Sequence, residues 1–385
     1  MLQKSWIMGL VFLTVSGCGD SDDGRIPGTS SLRERWDRAN DPIRMLPSDY
    51  VLVFDALPLK GNLEREPWAD SYWPSMRGGL AHRWLSGVDG HEVTPVTLEA
   101  ARTMSPKELS SLSPAEKFDI FIGNEKLPLF KSELERTSPN DGAWFGICHG
   151  WAPAALAFTE PKAVSVKGPS GIEVPFASSD IKALLSLYSA EYADVDGQML
   201  ASRCNDDFSK NPEAANKPSC RDTNAGAFHL VISNLLGIHR KGFVADLTRD
   251  LEVWNQPISG FETKIIKETR GRSLGASMWT AKEITVETNL YYGAEISPQW
   301  DSTGGNISVK SYRYRLELNR RGMVIGGEWL SERRPDFLWS NSTPKFTDTV
   351  STRRGGEKIA WSELQKIYEA GIGATENIPD PDAER

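Results

Sequence analysis

Of the four cysteines in this chain, three have an evident use other than chemistry. Cys18 ends an N-terminal export segment, and Cys204 and Cys220 lie close enough in sequence to bridge across a polar loop. In an oxidising compartment, thiols that can pair usually do. Cys148 is left over, in the segment Trp144-Phe145-Gly146-Ile147-Cys148-His149-Gly150-Trp151-Ala152-Pro153-Ala154-Ala155. Small residues surround it, and a helix-compatible run from His149 to Phe158 follows, with Pro153 early enough to bend that helix only mildly. A thiol at a helix N-terminus feels the positive end of the macrodipole, which favours thiolate. The segment therefore predicts a helix-borne nucleophile. The competing reading is a buried, inert cysteine.

The first residues fix the compartment. Lys4 precedes an apolar run from Trp6 to Val15 that ends in Val15-Ser16-Gly17-Cys18. A basic start, a short apolar stretch and small residues before the cut make a secretory signal over residues 1–17, and the run is too short to span a bilayer. Its last four residues resemble a bacterial lipobox, in which the cysteine is acylated and becomes the first residue of the mature protein. Residues 18–45 open with Gly19-Asp20-Ser21-Asp22-Asp23-Gly24 and read as a flexible tether. A lipid on Cys18 would hold the chain to the bacterial envelope, and Gly19 beside it favours the outer membrane. The body stays in water, in the periplasm or outside.

Residues 46–345 are expected to form the catalytic domain, and residues 346–385 a terminal helix (from Glu357 to Ala370) with a loose acidic tail. A hydrophobic content of 39% with 25% charged residues is that of an ordinary globular protein. The formal charge of −8, with no basic block, excludes a nucleic-acid binder. Thirteen tryptophans, several in Pro- or Gly-flanked turns, point to a loop-rich fold knit by aromatic packing. A carbohydrate-binding surface is the alternative use for them.

Hydrophobic patterning predicts a short strand at Tyr50–Asp55 and short helices at Thr97–Met104 and Ser105–Leu112. Ser113-Pro114-Ala115-Glu116 starts another helix, with proline at its first position. A further helix is expected at Asp180–Tyr192. Phe228–Ser233 and Gly242–Leu247 have strand composition, and Glu283–Leu330 reads as twisted antiparallel β with turns at Gly293, Gly304-Gly305 and Arg321-Gly322. Closing the Cys204–Cys220 loop contributes on the order of 3 kcal/mol by limiting the unfolded chain. A metal pair is the weaker reading, because no nearby histidine completes a tetrahedral set.

Thiol acyl transfer also needs a proton shuttle and a group that fixes its tautomer. The chain has five histidines. His82 and His91 lie in turn-rich sequence and His239 in the apparent turn between two strands. His149 adjoins Cys148, but neighbours on a helix do not face each other. His229, on the expected strand, is the candidate acid/base. Asp246, on the next strand, is its candidate partner, with Asn234, Asp250 and Asn255 as alternatives. The oxyanion would be met by the Cys148 N–H and a second donor, Trp144 or Asn140.

These residues carry a family resemblance. Gly146–Ala154 resembles the nucleophile segment of the elicitor-type transglutaminases of oomycete cell walls and some marine bacteria. Val253-Trp254-Asn255-Gln256-Pro257-Ile258-Ser259-Gly260-Phe261 is similar to the surface peptide of the oomycete enzyme that plants recognise. Pro67–Pro74, Leu112–Lys117 and Pro335–Trp339 add matches, so the likeness runs from about Tyr50 to Ser340. It implies an α+β fold of the papain/transglutaminase kind, with a helix-borne Cys148 packed on an antiparallel sheet and a Cys148–His229–Asp246 triad. The implied reaction transfers a protein glutamine's acyl group to a lysine or other amine, through a thioester. Ser259 and Glu262-Thr263 depart from the recognised peptide, which touches plant recognition rather than catalysis. Members of the family are often calcium-stimulated. No cofactor is required on this reading, and for calcium Asp194 and Asp196 offer oxygens but not an EF-hand loop. The alternatives are a thiol hydrolase (a peptidase or glutamine deamidase) on the same architecture, or a non-catalytic cell-surface binding module.

Overall fold

The described chain opens on short capped helices. In the computed structural model, residues 34, 36–191, 198–203, 210–211, 213, 217, 220, 222–249, 251–331, 333–340 and 359–380 are described. The export segment with Cys18, the calcium candidates Asp194 and Asp196, Asp250 and Cys204 fall outside them. A three-residue strand, β1 (Lys60–Asn62), precedes α1 (Leu98–Ala101), α2 (Pro106–Ser110), α3 (Pro114–Ile122) and α4 (Pro128–Arg136). Thr97, Ser105 and Ser113 each accept a hydrogen bond from the N–H three residues on. Ser105 with Glu108, and Ser113 with Glu116, complete reciprocal capping boxes with proline at the first helical position. These starts lie where the sequence put them. The expected strand at Tyr50–Asp55 does not form: Val53 makes a single bridge to Met323, and Phe54–Ala56 turn as a 3-10 helix.

Helix α5 (Cys148–Ala157), which carries Cys148, is followed by a hairpin of β2 (Val164–Lys167) and β3 (Glu173–Phe176), and then by α6 (Ser178–Glu191). Every residue of α6 is buried. Its two interior charges survive by pairing, Asp180 with Lys117 at 2.5 Å and Lys182 with Glu160 at 2.6 Å. After β4 (Gln198–Leu200) comes α7 (Ala225–Ile232), continued by a π-helical turn through Ser233–Ile238.

The rest is mostly sheet: β5 (Phe243–Asp246), β6 (Asn255–Arg270), β7 (Lys282–Gly293), β8 (Ile307–Leu318), β9 (Val324–Trp329) and β10 (Leu338–Ser340), before the terminal helix α8 (Trp361–Gly373). Their antiparallel order is β4-β10-β5-β6-β7-β8-β9, with β1 also pairing to β6. The expectation of antiparallel β between Glu283 and Leu330 holds.

Strand alternation divides two cores across this sheet. On β5, Val244 packs with Ile147, Cys148, Trp151 and the apolar faces of α3 and α6. Its neighbours Phe243 and Ala245 point the other way, into a core with Phe228, Val231, Tyr312, Tyr314 and Trp329. Helix α5 thus covers one face of the sheet and α7 the other. Trp68, Trp73, Trp151 and Trp329 are fully buried in these cores, so aromatic packing takes up the largest indoles. No helix among the described residues is long and apolar enough to cross a membrane.

One expectation fails outright. Phe228–Ser233 is helix, not strand. Asn224 caps it, its side chain accepting from the Gly226 and Ala227 N–H groups. Helix α7 is buried on all sides, so its apolar residues show no 3.6-residue stripe, and a short continuous apolar run reads as a strand.

Candidate active site

The approach to Cys148 is held by backbone. The Ile147 N–H donates to the Tyr72 carbonyl at 2.8 Å, and the Ser75 N–H to the Phe145 carbonyl at 2.8 Å. Gly146 sits so close to this segment that a Cβ would lie 2.3 Å from the Tyr72 oxygen. Two residues past the cysteine, Gly150 lets α5 cross α6, where a Cβ would meet the Ser186 carbonyl oxygen at 2.1 Å. Small residues around the thiol are therefore requirements of close packing, which seats Cys148 as the first residue of α5.

Its side chain is 4% exposed, and it is the free cysteine of the described residues. The thiol lies 3.6 Å from the Val253 carbonyl oxygen, to which it donates, and the Asn255 Nδ2 donates to the sulfur at 3.5 Å. Asn255 is itself oriented by Trp339, whose Nε1 donates to the amide oxygen at 2.8 Å. Asp246 lies opposite Asn255 in the β5–β6 register and so shares the face turned to the sulfur. Burial pushes the thiol up to about 11; donors of Asn255 pull the other way, while the negative charges of Glu295 and Asp246 add to the rise. At neutral pH the sulfur is a thiol, and its ionisation requires a base.

Glu295, in the loop after β7, is the carboxyl group suited to that pH range. Burial raises it to about 7. The Gln256 Nε2 donates to both of its oxygens, at 3.0 and 3.2 Å. Gln256 follows Asn255 directly, so one strand start fixes both the amide beside the sulfur and the amide holding the carboxylate.

His229 is elsewhere. Its ring is fully buried on α7, on the other face of the sheet, stacked on Phe54 at 5.6 Å between centroids. Its Nδ1 shares a 2.8 Å hydrogen bond with the Tyr314 hydroxyl, which continues to Thr288 at 2.8 Å. Burial lowers the ring to about 3. The structure therefore brings Asp246 to the face of Cys148 but not His229; the Asp246 Oδ1 accepts the Thr248 N–H at 3.2 Å. Among the described residues no imidazole is within hydrogen-bond reach of the sulfur. His82 faces Asp89 at 3.8 Å, His91 the Ser75 carbonyl at 3.4 Å and His239 the Asp49 carboxylate at 3.5 Å.

The two proposed oxyanion donors also differ in position. Trp144 meets Phe145 at 4.1 Å between centroids with the rings tilted by 32°, part of the aromatic edge of the site, and Asn140 is exposed on the loop before it. The Gly150 N–H is already taken by the Ile147 carbonyl at 2.8 Å, which leaves the Cys148 N–H as the backbone donor candidate by helix geometry. Tyr72 and Trp254 meet edge to face at 5.0 Å beside the same segment. A cleft of about 690 Å³ lies at the other end of α5, lined by Leu63, Arg65, Leu156, His239 and Lys241, and does not include the thiol. No group of three or more His, Cys, Asp or Glu side chains that could hold a metal occurs among the described residues. Cys220 is buried and is not a free thiol; its expected partner Cys204 lies outside the described residues.

Asn255 was legible only as an alternative orienting group, and Glu295, in a loop with no motif, was missed. The residues Asn255–Phe261, similar to a surface peptide in the oomycete enzyme, are here a buried stretch of β6.

Residues 140–371 match the family model described as "Transglutaminase elicitor". That span covers the Cys148 helix, α7 and the entire long-stranded sheet. The chain belongs to the transglutaminase elicitor family. The structure is also similar to the crystal structure of the GP42 transglutaminase from Phytophthora sojae, with a TM-score of 0.65 and 21% identity over 89% of this chain and 100% of that one. That likeness establishes a shared mixed helix and antiparallel-sheet fold. No curated protein matches the sequence.

Proposed function

We propose that this family member is a protein–glutamine γ-glutamyltransferase with Cys148 as nucleophile. The observation that carries the reading is the seating of Cys148 at the head of α5, its sulfur against Asn255, on the face that Asp246 shares and within the field of the Glu295 carboxylate. On this reading Glu295 accepts the thiol proton, and the thiolate attacks the carbonyl carbon (Cδ) of a glutamine γ-carboxamide. The Cys148 N–H, with the Asn255 amide, meets the oxyanion. The C–N bond breaks, the proton passes to the leaving nitrogen, and ammonia departs from a thioester. A primary amine then attacks that carbon, the C–S bond breaks, and the amine's proton returns through the carboxylate to the sulfur. The products are an isopeptide bond and the free thiol.

The aromatic groups Tyr72, Trp144, Phe145 and Trp254 support transfer over hydrolysis, since apolar cover keeps water from the thioester. The protein partners are a glutamine donor and a lysine or polyamine acceptor. An acyl anchor at Cys18 and a Cys204–Cys220 bridge complete the proposal on sequence grounds; no cofactor is required, and calcium stimulation is what the family resemblance would add.

Incubation with a glutamine-containing peptide and a fluorescent primary amine tests it. Incorporation of the amine, absent in Cys148→Ala, is the expected result. Ammonia release without incorporation identifies a deamidase, and neither product, with Cys148 inert to iodoacetamide, a binding module.

A further inference from the structure

The hairpin joining β6 to β7 ends in a loop, residues 271–281, that places three large apolar side chains in water. Leu274 is fully exposed, Met278 74% and Trp279 72%. The loop is built to hold them there. The buried Glu317 carboxylate accepts from the Ser277 N–H (2.8 Å) and the Thr280 hydroxyl (3.0 Å), while Glu283 accepts from the Ser273 N–H (2.9 Å) and hydroxyl (2.7 Å). Backbone bonds from Gly271 to Ala281 and from Thr280 to Ser277 close the turns. The acidic groups of the tip are thus turned inward, and Glu268 is paired with Lys282 at 2.7 Å. The exposed charges are cationic: Arg270 and Arg272 on the hairpin, and Arg320 and Arg321 on the β8–β9 turn beside it, since Leu318 pairs with Lys282. In a chain of net charge −8 this is a local inversion of sign.

We infer that the β6–β7 tip is a membrane-contacting element that seats Leu274, Met278 and Trp279 at the headgroup–acyl boundary of an anionic bilayer, with the four arginines on lipid phosphates. A Leu/Met/Trp cluster with a basic rim has the chemistry of such an interface. The size of the patch decides against a protein partner. Three side chains expose on the order of 500 Å², short of the roughly 800 Å² per partner that a specific protein interface buries, and the tip is convex. The arrangement also orients the enzyme. Fifteen residue steps separate Asn255 from Arg270 on β6, and at roughly 3.3 Å each the sulfur end of the strand stands about 50 Å from the tip. The thiol site then faces away from the lipid.

The test uses the full chain with Cys18→Ser, so that no acyl chain contributes, against the same chain carrying Leu274→Ser, Met278→Ser and Trp279→Ser. All three positions are exposed, and circular dichroism with thermal melting verifies that the fold is kept. Co-sedimentation with vesicles of phosphatidylglycerol and phosphatidylcholine is expected to fall about tenfold or more in the triple variant. A second variant, with Arg270, Arg272, Arg320 and Arg321 changed to Gln, is expected to lose the preference for phosphatidylglycerol. Brominated lipid is expected to quench a fluorescence component that Trp279→Phe removes. Sedimentation equal in the parent and triple variant, absence of sedimentation, or quenching unchanged by Trp279→Phe overturns the inference. So does a lipid-free, concentration-dependent dimer that the triple variant abolishes, since the tip would then be an interface between copies.

Discussion

Gly150 is the position where packing and chemistry meet most directly. Replacing it with alanine brings two opposed effects. A glycine in a helix interior costs up to about 1 kcal/mol relative to alanine, so the substitution alone stabilises α5. Against this, the new Cβ lies 2.1 Å from the Ser186 carbonyl oxygen, 2.6 Å from the Ala190 Cβ and 2.9 Å from the Ala190 nitrogen. Two of these atoms are backbone of α6 and cannot rotate away. Restoring a carbon–oxygen contact of about 3.3 Å requires α5 and α6 to part by about 1.2 Å. Forced overpacking costs about 1–3 kcal/mol, so with about 1 kcal/mol regained from propensity the net expectation for Gly150→Ala is a loss of roughly 0–2 kcal/mol. The kinetic effect is larger. Cys148 is on the same turn, and a 1 Å misplacement of a reacting group costs on the order of 10²-fold in rate. Denaturant unfolding measures the first quantity and single-turnover acylation of Cys148 by a glutamine peptide the second. Gly373→Ala, at the end of α8 with nothing within 4 Å of its Cβ, is the control and is expected to be neutral or slightly stabilising. If Gly150→Ala matches that control in stability and acylates at the parent rate, the reasoning about the α5–α6 crossing is wrong.

Acylation is expected to fall as pH drops through about 7, where Glu295 takes up a proton and can no longer accept one from the thiol. Glu295→Gln should remove that limb and slow acylation by about 10²–10⁴-fold; a retained limb assigns it to another group. Because the folded-state carboxyl is raised, its stabilising contribution is complete below the unfolded value near 4.5 and is lost as pH rises through about 7. Glu295→Gln should therefore gain stability relative to the parent only at the higher pH, as thermal melts across pH will read. His229→Gln loses a buried bond to Tyr314 and should cost about 1–3 kcal/mol, with the acylation rate per folded molecule unchanged; a folded but inert variant would restore His229 to the chemistry. Lys117→Met leaves Asp180 charged and fully buried without its cation, so a loss of about 3–5 kcal/mol is expected from denaturant unfolding.

The local codes were read correctly because they are local. Ser105 and Ser113 announce helix starts through a glutamate three residues on, and the alternation from Glu283 to Leu330 announces strands, whatever surrounds them. Cys148 was legible for the same reason, as a thiol at the head of a helical run beside two glycines. Failures came where burial erases periodicity or a pairing overrides composition. Helix α7 is apolar on every side and passes for a strand. Strand β6 begins across Pro257 and Gly260, residues that argue against a strand interior; yet Pro257 finds room because it faces Gly293, where even a Cβ would lie 2.9 Å from the proline ring.

The amino-acid sequence by itself pointed to Cys148, the free cysteine among the described residues, and to the helix that carries it. It also fixed an acidic body with no basic block for nucleic acid. Only the tertiary structure decided what stands next to that sulfur. Asn255 lies 107 positions away in the chain and reaches the thiol because β6 pairs with β5 in the register Asp246 to Asn255. His229, with a plausible spacing, is carried to the other face of the sheet because its segment is helical. A one-residue alternation along β5 separates the face of Val244 from that of Ala245. Which side chains share a face across paired strands depends on pairing and register, and neither is encoded in the neighbourhood of any single residue.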